Sequence, residues 1–171
     1  MTEGQGRGAM AAAWWRRALA DRESGPARAL AARLRRAGGI EALAEPEVQA
    51  LASSLGLGPA QALGLIRLVQ VLAEVRNDDR QSLARRLGGA EPVLSPLRLQ
   101  RLLRAREEEF VTQLRRAVIM ADRSCNVAFL ARDLLVWDHP DWGDETRARW
   151  CFDYFGAAQT AAPGQSEETE A

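Results

Sequence analysis

Lysine is absent from this chain: all 23 basic side chains among its 171 residues are arginine. Histidine occurs once, at His139, and cysteine twice, at Cys125 and Cys151. A usual zinc site takes three or four His or Cys ligands, and one His with two distant Cys does not supply them. The two cysteines are expected as free thiols in a reducing compartment, not as a disulfide framework. β-Branched residues are scarce, with 9 Val, 3 Ile and 5 Thr against 31 Ala and 22 Leu. That ratio favours helix over sheet. No apolar run reaches the roughly 18 residues of a membrane span. No apolar segment follows Arg16-Arg17, so no signal peptide is read and a cytoplasmic location is expected. Also missing are a Gly-x-Ser-x-Gly elbow, a phosphate-binding loop and a His–Glu metalloprotease pattern. Asp138, Asp141, Asp144 and Glu145 lack the Gly and the Glu that a calcium loop needs, and helix capping or solvated turns explain them better. No catalytic residue, metal ligand or cofactor is therefore expected, and the chain reads as a non-enzyme.

Arginine is what the sequence has in abundance, matched by 23 Asp and Glu to give a formal net charge of zero. The total conceals a gradient. From Arg7 to Arg132 there are 21 Arg against 13 acids, and from Asp133 to Ala171 only 2 Arg against 9 acids. A basic body is cancelled by an acidic end, so neutrality does not exclude a polyanionic partner.

Punctuation along the chain predicts an all-α fold: N-terminal and C-terminal helical bundles sharing a compact core. Residues 1–8 are polar and Gly-rich and are expected to fray. The N-terminal bundle is placed at 9–89, the C-terminal bundle at 90–156, and a disordered acidic tail at 157–171. A first helix is read over Met10–Arg22. Ser24-Gly25-Pro26 starts a second that Gly38-Gly39 ends, and Pro46 opens a third that runs to Gly56. The fourth, from near Pro59, is the most apolar, with Leu63, Ile66, Val69, Leu72 and Ala73 at helical spacing. Asn77-Asp78-Asp79 breaks the chain before a short helix over Ser82–Leu87. Ser95-Pro96 is an N-cap followed by proline, and Glu107-Glu108-Glu109 suit the first turn of the next helix. Asn126 and Asp144 are read as the last two caps. Cys151, Phe152 and Phe155 are available for packing.

Arg98, Arg101 and Arg104 fall on one of these helices at steps of three. Such residues form a slanted ridge rising about 4.5 Å per step, while Leu99, Leu102 and Leu103 occupy another arc. Arg115-Arg116 follow one helix later, Arg35-Arg36 end the second helix, and Arg67 sits on the fourth. Such a strip can meet phosphates, since guanidinium pairs with phosphate without reading sequence. It can equally be a solvated helix face, since an Ala- and Arg-rich, Lys-free composition is what GC-rich codons give. Few aromatics accompany these arginines, so no base-stacking platform is evident.

The order of elements resembles the CasB family, the small subunit of the type I-E CRISPR Cascade complex. The resemblance runs from about Trp14 to Phe155. It rests on Leu102-Leu103-Arg104-Ala105, on Leu114-Arg115-Arg116, on Asn126 to Trp137 with its Leu134-Leu135 pair, and on Arg149-Trp150 to Tyr154-Phe155. Leu34-Arg35-Arg36-Ala37 and the apolar helix with Arg67 add to it. It implies an all-α, non-cutting subunit that associates as two copies beside other Cascade subunits. Such a subunit stabilises the R-loop, with its guide RNA, target strand and displaced strand, through basic surfaces. By position, Arg35 or Arg36, Arg98, Arg104 and Arg116 fall where relatives place phosphate-contacting bases, and Arg67 matches a further basic position. Ala60 and the Glu107–Glu109 run depart from the pattern. Two rivals remain at this level: a helical scaffold with solvated arginines, and a helix-turn-helix regulator, for which Gln100 alone is a poor base reader.

Overall fold

In the computed structural model, which describes residues 2–161, α1 spans Thr2–Ala18. It begins eight residues before the expected Met10 and stops short of Arg22. The cause is packing. Arg7 donates from Nη2 to the Leu55 carbonyl at 3.0 Å. Gly8 lies so close to the partner helix that a Cβ there would meet the Ala128 carbonyl oxygen at 2.5 Å. Gly8, read as part of a fraying end, thus serves a close helix–helix approach. The helix stops where Leu19 and Ala20 both donate to the Trp15 carbonyl and the Asp21 carboxylate takes over the amides of Glu23 and Ser24.

The following helices are α2 (Gly25–Arg36), α3 (Gly39–Leu43), α4 (Pro46–Leu55) and α5 (Ala62–Leu72), the last preceded by a 3-10 turn at Pro59–Gln61. The short α3 was not anticipated: Gly38-Gly39 ends one helix, and Gly39 opens the next, with the Gly38 amide donating to Glu41. Then come α6 (Leu83–Leu87), α7 (Pro96–Arg104), α8 (Glu107–Met120), α9 (Val127–Val136) and α10 (Gly143–Ala161). The helix α10 covers the first residues assigned above to a disordered tail; 162–171 lie outside the described residues. Among the described residues the fold is all-α apart from two two-residue strands, β1 (Asn77–Asp78) and β2 (Ser124–Cys125), which pair in parallel.

One buried cluster runs through the described chain. It includes Trp14 and Leu19 of α1, Leu68 and Leu72 of α5, Phe110 and Leu114 of α8, Leu130 and Leu134 of α9, and Trp150 of α10. Packing crosses the position where the two bundles were divided: α1 lies on α9, α6 on α10, and α5 on both α8 and α9. Trp137 stacks on Phe110 at 4.8 Å between centroids and meets Trp150 edge-on at 5.1 Å. Such pairs add about 0.5–1.5 kcal/mol beyond the area they bury. Three residues offered for packing face outward: Leu63 is 83%, Phe152 81% and Phe155 57% exposed. On α10 the inward positions are Trp150 and Tyr154, one helical turn apart, which turns Phe152 to the other side. On α5 the buried stripe starts at Leu65, so Leu63 precedes it.

The two halves are also stitched by polar contacts at the β1–β2 bridge. The Asn126 amide donates to the Gln81 carbonyl at 2.8 Å, and the Val127 amide donates to the Asp78 carboxylate at 3.0 Å. The Asp79 carboxylate receives Arg86 and Ser124. Cys125 is buried in this joint; burial and then Asp78 push its thiol up to about 12, so it stays protonated near neutral pH. Among the described residues no single helix is long and apolar enough to cross a membrane.

Gly88 sets the α6–α10 distance, because a Cβ at this residue would collide with the backbone of Tyr154. Gly88→Ala is expected to lower unfolding free energy by about 1–3 kcal/mol, as overpacking does. Denaturant unfolding followed by circular dichroism checks this.

Candidate nucleic-acid interface

The ridge predicted on α7 is present. Ser95 caps the helix by accepting the Arg98 amide on Oγ at 3.3 Å, and Pro96 occupies the first turn, where its missing amide costs nothing. Leu99 and Leu102 are buried beneath, and Arg98, Arg101 and Arg104 stand exposed above. α8 packs beside α7 and turns the exposed Arg116 to the same side. Between the two helices lies a groove of about 480 Å³ with Leu94, Leu102, Ala117 and Met120 in its floor and Arg98, Arg101, Gln113 and Arg116 around it. Arg104 is exposed further along α7 and is not part of the groove lining.

These four arginines differ from most of the others in having no carboxylate within 4 Å among the described residues. Elsewhere the pairing is dense. Arg33 grips Glu45 through two bonds of 2.6 and 2.9 Å, and this contact with Arg33 holds the Glu45 carboxyl below its ordinary range. Asp133, buried, receives Arg132, Arg149 and the Trp150 indole. Arg147 pairs with Asp144, which holds that side chain on an intrahelical ion pair. His139 closes its turn by accepting the Asp141 amide on Nδ1 and stacks on Trp142.

The remaining predicted site residues separate into two groups. Arg36 is exposed at the end of α2, with Nε donating to the Ala32 carbonyl; Arg35 beside it is half-buried. Arg67 and Arg115 are committed to the protein. Arg67 is 13% exposed, donates to Asp138 at 2.6 Å and to the Leu134 carbonyl, and lies over the Phe110 ring. Arg115 donates from Nε and Nη2 to Glu74 at 3.0 and 2.7 Å, and from Nη2 to the Arg35 carbonyl. Arg115 and Arg116 are neighbours in sequence, but about 100° of helix rotation sends one to the core and the other to the groove.

Glu74 itself escaped the sequence reading. It is 3% exposed and also receives Arg123, which donates to Oε2 and to the Glu74 carbonyl. The signal was there: a lone acid in the apolar run Leu72-Ala73-Glu74-Val75 needs a buried counter-charge. Burial pushes the Glu74 carboxyl up, but the hydrogen bonds and charges of Arg115 and Arg123 outweigh it and hold it below its ordinary value.

The residues that carry the family resemblance have structural duties. Asn126 caps α9 by accepting the Phe129 amide at 2.9 Å. Trp137 and Trp150 form the aromatic core, and the Tyr154 hydroxyl donates to the Leu94 carbonyl at 2.5 Å. Fold and surface together define a small all-α protein with a concentrated cationic face on α7 and α8. The family described as CRISPR-associated protein Cse2 matches residues 29–155, and the chain belongs to that family. Cse2 is the small subunit of the type I-E Cascade complex, a non-catalytic partner of the other Cascade subunits. No curated protein and no solved structure matches the chain.

Because the folded-state pKa of Glu74 lies below its unfolded value, its contribution is complete above the unfolded pKa of about 4.3 and is lost as pH falls through the folded one. Glu74→Gln is expected to cost about 3–5 kcal/mol at pH 7, since it leaves two guanidiniums beside an uncharged partner. The gap to the parent protein should narrow below about pH 4. Urea unfolding at several pH values measures both effects.

Proposed function

We propose that this Cse2-family chain holds nucleic-acid backbone on the α7–α8 face and thereby stabilises the R-loop of a Cascade complex in antiviral defence, without cutting any strand. The observation that carries this reading is that Arg98, Arg101 and Arg116 stand exposed around one groove with Arg104 further along α7, and that none of the four has a carboxylate within 4 Å among the described residues. Successive guanidiniums about 4.5 Å apart along α7 can reach neighbouring phosphates of a strand. Arg36, and Arg35 beside it, extend the contact from α2. Arg67 and Arg115 act by placing α5 and α8, not by touching the strand. Exchange of a DNA duplex for an RNA–DNA hybrid is nearly balanced, so a few backbone contacts suffice to tip it. The partners are guide RNA, both strands of the target, other Cascade subunits and a second copy of this chain. Exposed apolar side chains such as Ile40, Leu63 and Phe152 suit the protein contacts. The site of action is the cytoplasm.

The triple variant R98E/R104E/R116E is expected to assemble with its partners and to shorten R-loop lifetime at least tenfold. Each lost phosphate contact should reduce the salt slope of binding by about 0.7. Single-molecule R-loop lifetimes across a salt series test this. Unchanged lifetimes with intact assembly would leave the scaffold reading in its place.

A further inference from the structure

The α7–α8 groove has a surface that backbone phosphate alone does not explain. Phosphate oxygens meet guanidiniums, but Leu94, Leu102, Ala117 and Met120 form the floor here. Arg98, Arg101 and Arg116 around it have no carboxylate within 4 Å among the described residues. Glu109, about two turns before Arg116 on the same face of α8, instead accepts from the Gln113 amide at 2.8 Å. Three guanidiniums thus surround an apolar trough with no described counter-charge. Residues 162–171 carry the opposite charge: Glu167, Glu168 and Glu170, with no arginine among them. Thr169 and Ala171 supply small apolar groups for the floor.

Helix α10 tethers this acidic segment beside the groove. The Tyr154 hydroxyl donates at 2.5 Å to the carbonyl of Leu94, a groove residue. From Tyr154 the helix continues seven residues to Ala161, about 10 Å. The six residues from there to Glu167 span up to about 20 Å when extended. A chain that retraced that whole stretch of helix would keep about 10 Å of reach beyond Leu94, and Glu168 and Glu170 lie further along it. An exposed ion pair is weak by itself, but a tether this short holds the acids at an effective concentration of about millimolar. We propose that Glu167, Glu168 and Glu170 dock on Arg98, Arg101 and Arg116 of the same chain and cover the α7–α8 groove until a stronger polyanion displaces them. The contact itself needs no nucleic acid; that a strand is the displacing polyanion rests on the function proposed above. A strand that presents phosphates to all three arginines at once wins this exchange, and a single anion does not. The basic body and the acidic end counted in the sequence are then two sides of one contact.

The test compares the full chain with E167Q/E168Q/E170Q, which keeps the length and removes only the three charges. E23Q/E47Q/E145Q, at three exposed acids elsewhere, controls for net charge. The Nε–Hε resonances of Arg98, Arg101 and Arg116 are followed by NMR without any nucleic acid. At low salt they differ between the full chain and E167Q/E168Q/E170Q, and at high salt they coincide. Arg33, already gripped by Glu45, does not move. Coincident resonances at low salt overturn the docking. A difference that fades on dilution overturns the same-chain assignment in favour of a second copy. Strand binding is read by anisotropy with a thymidine 20-mer. E167Q/E168Q/E170Q is expected to bind it about three- to thirty-fold tighter at low salt, and E23Q/E47Q/E145Q about twofold tighter at most. Equal gains from the two variants overturn the covering role, since net charge then accounts for them. If R98E/R104E/R116E leaves strand binding unchanged while the arginine resonances still report the acids, the docking stands and the groove's role in strand binding falls. If R98E/R104E/R116E weakens strand binding while the resonances coincide, the groove reading stands and the docking falls.

Discussion

A carboxylate buried among arginines is the interaction on which the charge arrangement of this molecule depends. Glu74 stands at the end of α5, where the chain leaves the core and the two halves meet. Alone it would be costly to bury. Paired with Arg115 of α8 and Arg123 of the following turn, it joins α5 to α8 and, through the Arg35 carbonyl, to the end of α2. The turn after α8 bends accordingly: Asp122 and Arg123 both adopt positive φ near 55°, an expense of about 1–2 kcal/mol per residue that the contacts to Glu74, Arg76 and Asn77 offset. α8 is thereby held in the rotation that turns Arg116, the next residue after Arg115, to the groove.

Local chemistry made most helices legible before any coordinates. Ser95-Pro96, Asn126 and Pro46 start α7, α9 and α4 as their capping and proline chemistry dictates. The α7 ridge followed from spacing alone, since its leucines and arginines separate cleanly on a 3.6-residue period. The misreadings have a common source. Gly8 was placed in a fraying end because nothing local shows that it faces Ala128, a residue 120 positions away. Leu63 was placed inward because periodicity ranks residues by apolarity and cannot see where the covering helix ends. Which arginines are free was equally invisible: Arg115 and Arg116 are identical in type and adjacent, and only their long-range partners separate them.

The residues that made the family visible differ from those proposed to do its work. Asn126, Trp137, Trp150 and Tyr154 cap, stack and pack, and the buried Asp133 between them gathers Arg132, Arg149 and Trp150. Aromatic stacking and a satisfied buried carboxylate tolerate few substitutes, so residues with these duties leave a marked sequence pattern. Backbone phosphate contacts, by contrast, need only positive charge within reach, and reach can come from several positions on a helix face. An interface of that kind leaves a weak sequence signature even where its charge is concentrated.

The missing lysine acquires a physical consequence here, whatever its origin in codon usage. At Arg22 the surroundings lower the guanidinium to about 10, and it remains charged at neutral pH. A lysine in the same surroundings would start nearer neutrality, at about 10.4, and so hold its proton less firmly. A lysine could not, moreover, bond two carbonyls with one planar fork and still present a fixed face. Gathering Arg22, Arg115 and Arg123 about one buried carboxylate keeps a constant charge, because a guanidinium holds its proton across the physiological range. The cluster can therefore stay charged while partly buried, which keeps the Glu74 carboxylate paired and the join between α5 and α8 in place.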